Sequence, residues 1–111
     1  MTKKLLEGVR VLDLTNVLSG PFATLHLALL GAEVIKIENP KEGDLARKLG
    51  NVPALNQKLM GTSFLAQNAN KKSVTLNLKA PKGKEVFRRL VETAVTAPER
   101  LDACIAGLET W

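Results

Sequence analysis

The sequence predicts an α/β fold built on a parallel sheet, and three observations carry that reading. A short apolar run, Val9-Arg10-Val11-Leu12-Asp13-Leu14, follows Gly8. A helical stretch follows Pro21, and Glu33 to Glu38 then alternates polar with apolar residues. Two strands bracketing a helix with short connections favour a right-handed βαβ crossover, because parallel neighbours need a long connection whereas a hairpin needs only a turn. That unit is the core of a Rossmann-like half.

Each element has a local cause. The run from Val9 reads as a buried strand, and Thr15 to Gly20 as a turn. Pro21 suits the first position of a helix, where its missing N–H is not needed, with Ser19 or Gly20 as N-cap. The helix is expected to reach about Leu30 and to bury Phe22, Leu25, Ala28 and Leu29, with Gly31 as a left-handed C-terminal cap. Glu33 to Glu38 forms the second strand and stops at Asn39-Pro40. Pro40, Gly43, Gly50, Pro53 and Gly61 punctuate a long connection holding at most a short helix. Ser63 to Asn68 reads as one or two helical turns and Ser73 to Leu78 as a third strand. Pro81 then opens an amphipathic helix that buries Val86, Phe87, Leu90 and Val91.

The chain has 111 residues, 45% of them hydrophobic, with 16 Lys+Arg, 11 Asp+Glu, one His and one Cys. A domain of that length buries roughly two-thirds of the surface of its unfolded chain, enough for one core without staples. Cys104 has no second cysteine and only His26 as a conceivable partner, which argues against a disulfide scaffold, a CxxC site or structural zinc. A reducing, cytoplasmic setting is the expectation. The apolar stretch Leu27 to Leu30 is far below the roughly 20 residues of a membrane span. No signal-peptide apolar region follows Met1, so a soluble chain with no membrane partner is expected.

Charge is concentrated. Lys71 to Arg89 holds seven basic residues and one acid, a local +6 within a chain of +5. Such a segment is either a solvated helix face or an attractor for nucleotide phosphates, nucleic acid or acidic lipid. Nucleic acid is disfavoured, because Phe87 alone among Phe22, Phe64, Phe87 and Trp111 lies within the segment and no stacking platform forms. Gly83-Lys84 is not a phosphate loop, since Leu78 and Glu85 stand where a Gly and a Ser or Thr are required. The Asn16 to Gly20 loop sits where a Rossmann-like sheet binds its ligand, yet one glycine does not make a dinucleotide fingerprint. His26 has no acid or nucleophile at a useful spacing, and no metal set or catalytic set emerges.

Six segments taken together carry more. Leu6 to Thr15, Ser19 to Thr24, Leu30 to Glu38, Gly43-Asp44 with Arg47, Asn70 to Ser73 and Lys79 to Gly83 resemble the opening of the class III CoA-transferases. That family includes formyl-CoA and carnitine CoA-transferases and α-methylacyl-CoA racemase. The resemblance runs from about Leu6 to Ala94, so it implies a CoA-binding Rossmann-like region over 1–94 and a divergent tail over 95–111. It also implies coenzyme A or acyl-CoA as the bound molecule, no metal, and an interlocked homodimer. Leu18 and Ser19 match the turn that contacts CoA, and Asn39 a position that is often an Arg near the adenine end. Leu76, Asn77, Leu78 and Lys79 match the stretch lining the CoA site, with Lys79 as a phosphate partner.

The family's Asn-aromatic-Arg-Pro-Gly motif is absent after Ala94, and a truncated or frame-shifted gene is the expected origin of that departure. Transferases of this family use a later Asp as nucleophile, and the racemases use later His and Asp groups. The resemblance therefore implies a CoA-binding N-terminal portion of an acyl-CoA:carboxylate CoA-transferase with no catalytic residue of its own, inactive alone; Asp13, Asp44 and Asp102 are not substitutes. A racemase portion and a non-catalytic, self-associating remnant domain stand as alternatives.

Overall fold

The computed structural model describes residues 3–94, so the tail at 95–111, with Cys104, Asp102 and Trp111, lies outside the described residues. In chain order the elements are β1 (Arg10–Asp13), α1 (Ser19–Leu29), β2 (Glu33–Glu38), a 3-10 turn (Leu45–Lys48), α2 (Pro53–Gln57), α3 (Thr62–Gln67), β3 (Lys72–Thr75) and α4 (Pro81–Glu92). The strands form one sheet in the order β1-β2-β3 with both pairings parallel, as the βαβ reading requires.

Strand β2 lies in the middle, and its side chains alternate between two covered faces. Val34 packs with Ala28 of α1 and with Ala32, against Leu6, Val9, Val11 and Leu27. Ile35 and Ile37 point the other way and are buried with Leu78, Phe87 and Val91, which places α4 on the opposite face. Full burial of one side chain of this size contributes about 1.5–3 kcal/mol, so the α4 face is the main apolar store of the fold. Polar Lys36 and Glu38 alternate with these residues in sequence, yet both are buried. The alternation that reads as one wet face is instead a face covered by helices and filled with ion pairs.

Helix α1 begins earlier than Pro21 predicts. Leu18 occupies the N-cap with no side-chain hydrogen bond, and Phe22 N–H donates to Leu18 O at 2.8 Å, so Ser19 and Gly20 are helical rather than capping. Pro21 takes the third helical position, which tolerates it because that N–H has no helical acceptor either. The C-terminus follows expectation: Gly31 at φ +106° lets Gly31 N–H reach Ala28 O and Ala32 N–H reach Leu27 O. The buried face consists of Pro21 and Ala28, whereas Phe22 and Leu29 remain 50% and 60% exposed. The helix is apolar around most of its circumference, so periodicity does not single out its inner side.

Two other expectations shift. Strand β3 ends at Thr75: Leu76 N–H still makes one more ladder bond, to Glu38 O, but Asn77 then turns the chain. In α4 Phe87 and Val91 are buried and Leu90 is half-buried, but Val86 is 44% exposed. The first turn of α4 lies hard against that turn: a Cβ on Gly83 would come within 1.9 Å of Asn77 O, a backbone atom. Gly83→Ala is therefore expected to push α4 off the β3–α4 turn and cost about 1–3 kcal/mol, measured by urea unfolding. An unchanged midpoint would contradict that packing.

Candidate functional site

A cleft of about 620 Å³ opens at the carboxyl ends of the strands, lined by Asn16, by Asn39 to Glu42, and by Leu76 to Lys79. Each wall is the segment that follows one strand, which is where parallel α/β sheets hold ligands. Two asparagines shape these walls. Asn39 Oδ1 accepts from the Lys41 and Glu42 N–H groups, both at 3.0 Å, and Gly43 N–H closes on Asn39 O. Asn77 Oδ1 accepts from Lys79 N–H at 3.1 Å, and Ala80 N–H donates to Asn77 O. Local bonds of this kind are why asparagine favours turns. Lys41 and Lys79 provide the positive charge of the cleft, while Glu42 is tied to Lys48 at 3.1 Å.

Behind the cleft, the α1 face of the sheet carries a buried charge network. Asp13 Oδ1 accepts from the Thr15 N–H and hydroxyl, and Asp13 Oδ2 from the Thr24 hydroxyl at 2.6 Å and Lys71 Nζ at 3.1 Å. Lys36 Nζ meets Asp44 Oδ2 at 2.8 Å. Glu38 receives both Nε and Nη2 of Arg47 at 2.7 Å, together with Asp44 N–H and the Ser73 hydroxyl. The Arg47 guanidinium also lies 3.8 Å from the Phe64 ring centroid, a stacked cation–π contact. Burial by itself raises the Asp13, Glu38 and Asp44 carboxyls, but their hydrogen bonds and cationic partners prevail, holding all three low and Glu38 down to about 2. Burial pulls the Lys71 ammonium below its usual value, with Asp13 opposing it. Unsatisfied, such groups would cost several kcal/mol each; paired and hydrogen-bonded, they fix one geometry.

Of the site residues inferred from sequence, Asn39, Leu76, Asn77, Leu78 and Lys79 come together in the cleft. Leu78 serves the core as well, being buried against Phe87. Leu18 and Ser19 are exposed at the start of α1 and do not line the cleft. Asn16 falls in the Asn16 to Gly20 loop that the sequence places at the ligand end of the sheet, whereas Pro40, Lys41 and Glu42 were not singled out; their position directly after β2 is the signal that identifies them. The basic segment is not one phosphate-facing patch. Lys71 is consumed by Asp13, Lys72 pairs with Glu33 at the far end of the sheet, and Arg89 pairs with Glu85 on the exposed surface of α4. Among its cations, Lys79 lines the cleft. Within the described residues no group of three or more His, Cys, Asp or Glu is placed to hold a metal ion, and no helix is long and apolar enough to cross a membrane.

Comparison with known proteins agrees with this architecture. The chain is 53% identical over 87 residues to the succinyl-CoA:glutarate CoA-transferase of Mus musculus, covering 78% of this chain and 19% of that protein. It is 50% identical over 91 residues to the formyl-CoA:oxalate CoA-transferase of Rhodopseudomonas palustris, covering 81% of this chain and 20% of that one. The chain thus spans about a fifth of the length of the curated relatives it matches. Among solved structures, a hypothetical protein from Mycobacterium tuberculosis superposes with a TM-score of 0.71 at 43% identity, over 83% of this chain and 24% of that chain. A CaiB/BaiF family protein from Brucella suis gives 0.71 at 35% identity, over 84% and 25% respectively. The profile of CoA-transferase family III matches residues 6–96, and with these relatives it places the chain in that family.

Proposed function

We propose that the cleft at the carboxyl edge of the sheet receives coenzyme A, and that this chain supplies the CoA-binding region of an acyl-CoA:carboxylate CoA-transferase. The observation that carries this reading is convergence. Asn39 and the run from Leu76 to Lys79 are far apart in sequence yet line one cleft, and they are the positions that the family resemblance assigns to CoA. Lys41 and Lys79 suit the phosphates of the ligand, and the Leu76 and Leu78 wall suits its less polar arm. Asn39 stands where the family often has an Arg, so this cleft relies more heavily on the two lysines. Leu18 and Ser19, outside the cleft lining at the start of α1, are assigned to CoA by the family resemblance alone. The transferase reading is preferred to the racemase because the relatives reported above are transferases by name.

Isothermal titration of CoA at low salt tests the proposal. Binding is expected, with Lys79→Glu weakening it by about tenfold or more as attraction to phosphate becomes repulsion. Equal affinity of the variant, with its fold intact by circular dichroism, would remove Lys79 from the site.

One observation favours self-association in addition. The outward face of α1 presents Leu18, Phe22 and Leu29 to solvent, each at least half exposed, a grouping of large apolar side chains of the kind that marks an interaction surface. A homodimer covering that face is the corresponding reading. Light scattering across concentration separates a rising mass from a constant monomer.

A further inference from the structure

The loop between β1 and α1 is held under strain. Leu18 N–H donates to Asn16 O at 3.1 Å, closing a three-residue turn whose central residue, Val17, sits at φ +71°. A β-branched residue in the left-handed region is an outlier, and a three-residue turn of this hand is rare. Strain of this kind persists only where the surroundings over-determine it.

Here the surroundings are one buried ion pair. Lys36 Nζ donates to Thr15 O at 2.9 Å, and Asp44 Oδ1 accepts from Val17 N–H at 2.9 Å. Lys36 and Asp44 meet at 2.8 Å with side chains 1% and 0% exposed. The pair therefore grips the backbone on both sides of Asn16, and Asn16 lines the cleft. The Lys36 and Asp44 side chains reach the loop from the middle strand and from the segment after it, so three stretches of chain are locked at one point. Asp44 Oδ1 also accepts from Ala46 N–H at 2.9 Å and so caps the 3-10 turn, but neither that local cap nor core filling requires its second bond, to a backbone N–H 27 positions away.

We propose that Lys36 and Asp44 are positioning residues that hold the strained Asn16–Leu18 turn and so present Asn16 to coenzyme A in the cleft. The ligand half of this rests on the CoA reading above; the turn half does not.

The test uses the 111-residue chain in four forms: unaltered, Asp44→Ala, Val17→Gly and the double variant. Amide exchange at Leu18, followed by NMR, reports the turn, and titration with CoA reports the cleft. Asp44→Ala is expected to speed Leu18 exchange on the order of 100-fold and to weaken CoA binding by about tenfold. Adding Val17→Gly is expected to restore most of both, because glycine adopts a φ of that sign without strain. Loss of general stability, or of the Asp44 cap on Ala46, would not be relieved by glycine at Val17, 27 positions away in sequence. Unchanged Leu18 protection in Asp44→Ala, or no recovery on adding Val17→Gly, overturns the proposal. Should Asp44→Ala fail to fold, Lys36→Met/Asp44→Ala leaves no unpaired buried charge and takes its place under the same outcomes. If the unaltered chain binds no CoA, the CoA reading fails, while the exchange data still decide whether the pair holds the turn.

Discussion

Arg47→Ala is expected to lower the unfolding free energy by about 3–5 kcal/mol, because it leaves a buried carboxylate without its cation. The Glu38 side chain is 1% exposed and Arg47 19%, and two guanidinium nitrogens meet the two oxygens of that carboxylate. The same guanidinium donates to Leu59 O at 3.1 Å and stacks on Phe64, so one side chain ties β2, the 3-10 turn, the segment after α2, and α3 together. Truncation removes all of these contacts at once. Arg47→Lys is expected to recover only part of the loss, since an ammonium keeps the charge but neither the paired geometry nor the stacking. Urea unfolding at neutral pH measures both variants, and a loss below about 1 kcal/mol for Arg47→Ala would place that pair in the weak, surface-like class. CoA affinity should fall with it, because Glu38 leads directly into the cleft wall at Asn39.

The second large effect is acid sensitivity. Burial works to raise the Glu38 carboxyl, and bonds from Arg47, the Asp44 N–H and Ser73 overcome it, taking it from 4.5 to about 2. A carboxylate held low in the folded chain contributes fully above its unfolded value and loses that contribution as pH falls toward its folded value. The window therefore runs from about pH 4.5 down to about 2, and Glu38 alone gives up about 3 kcal/mol across it. Asp13 and Asp44, both also held below 3.8, act in the same direction. Thermal unfolding followed by circular dichroism between pH 7 and pH 2 is expected to show a steep loss below pH 4.5. Glu38→Gln should be less stable at pH 7 and should approach the unaltered chain as pH falls. Parallel curves for the two would contradict the linkage.

These effects also mark what could be read from the sequence. The parallel βαβ unit was legible because β1, α1 and β2 follow one another with short connections, and β2 runs from Glu33 to Glu38 as expected. Pro81 and Gly31 act where their backbone chemistry puts them. The burial of Lys36 and Glu38 was not legible. Their partners, Asp44 and Arg47, lie in the irregular segment after β2, where no periodicity signals that a side chain turns back onto the sheet. Lys71 misled for the same reason: charge counted along the chain says nothing of an aspartate 58 positions earlier that neutralises it. The cleft was half legible. Asn39 and Leu76 to Lys79 came from family resemblance and Asn16 from the loop after the first strand, whereas Lys41 follows from the same topological rule once the strand order is known.

The strength of the cleft as a CoA site is measured most directly by titrating CoA into the 111-residue chain at low and at moderate salt, beside Lys79→Glu. Saturable heat that weakens with salt and falls about tenfold in the variant is the expected result. A folded chain that gives no heat with CoA at low salt would contradict the assignment of the cleft.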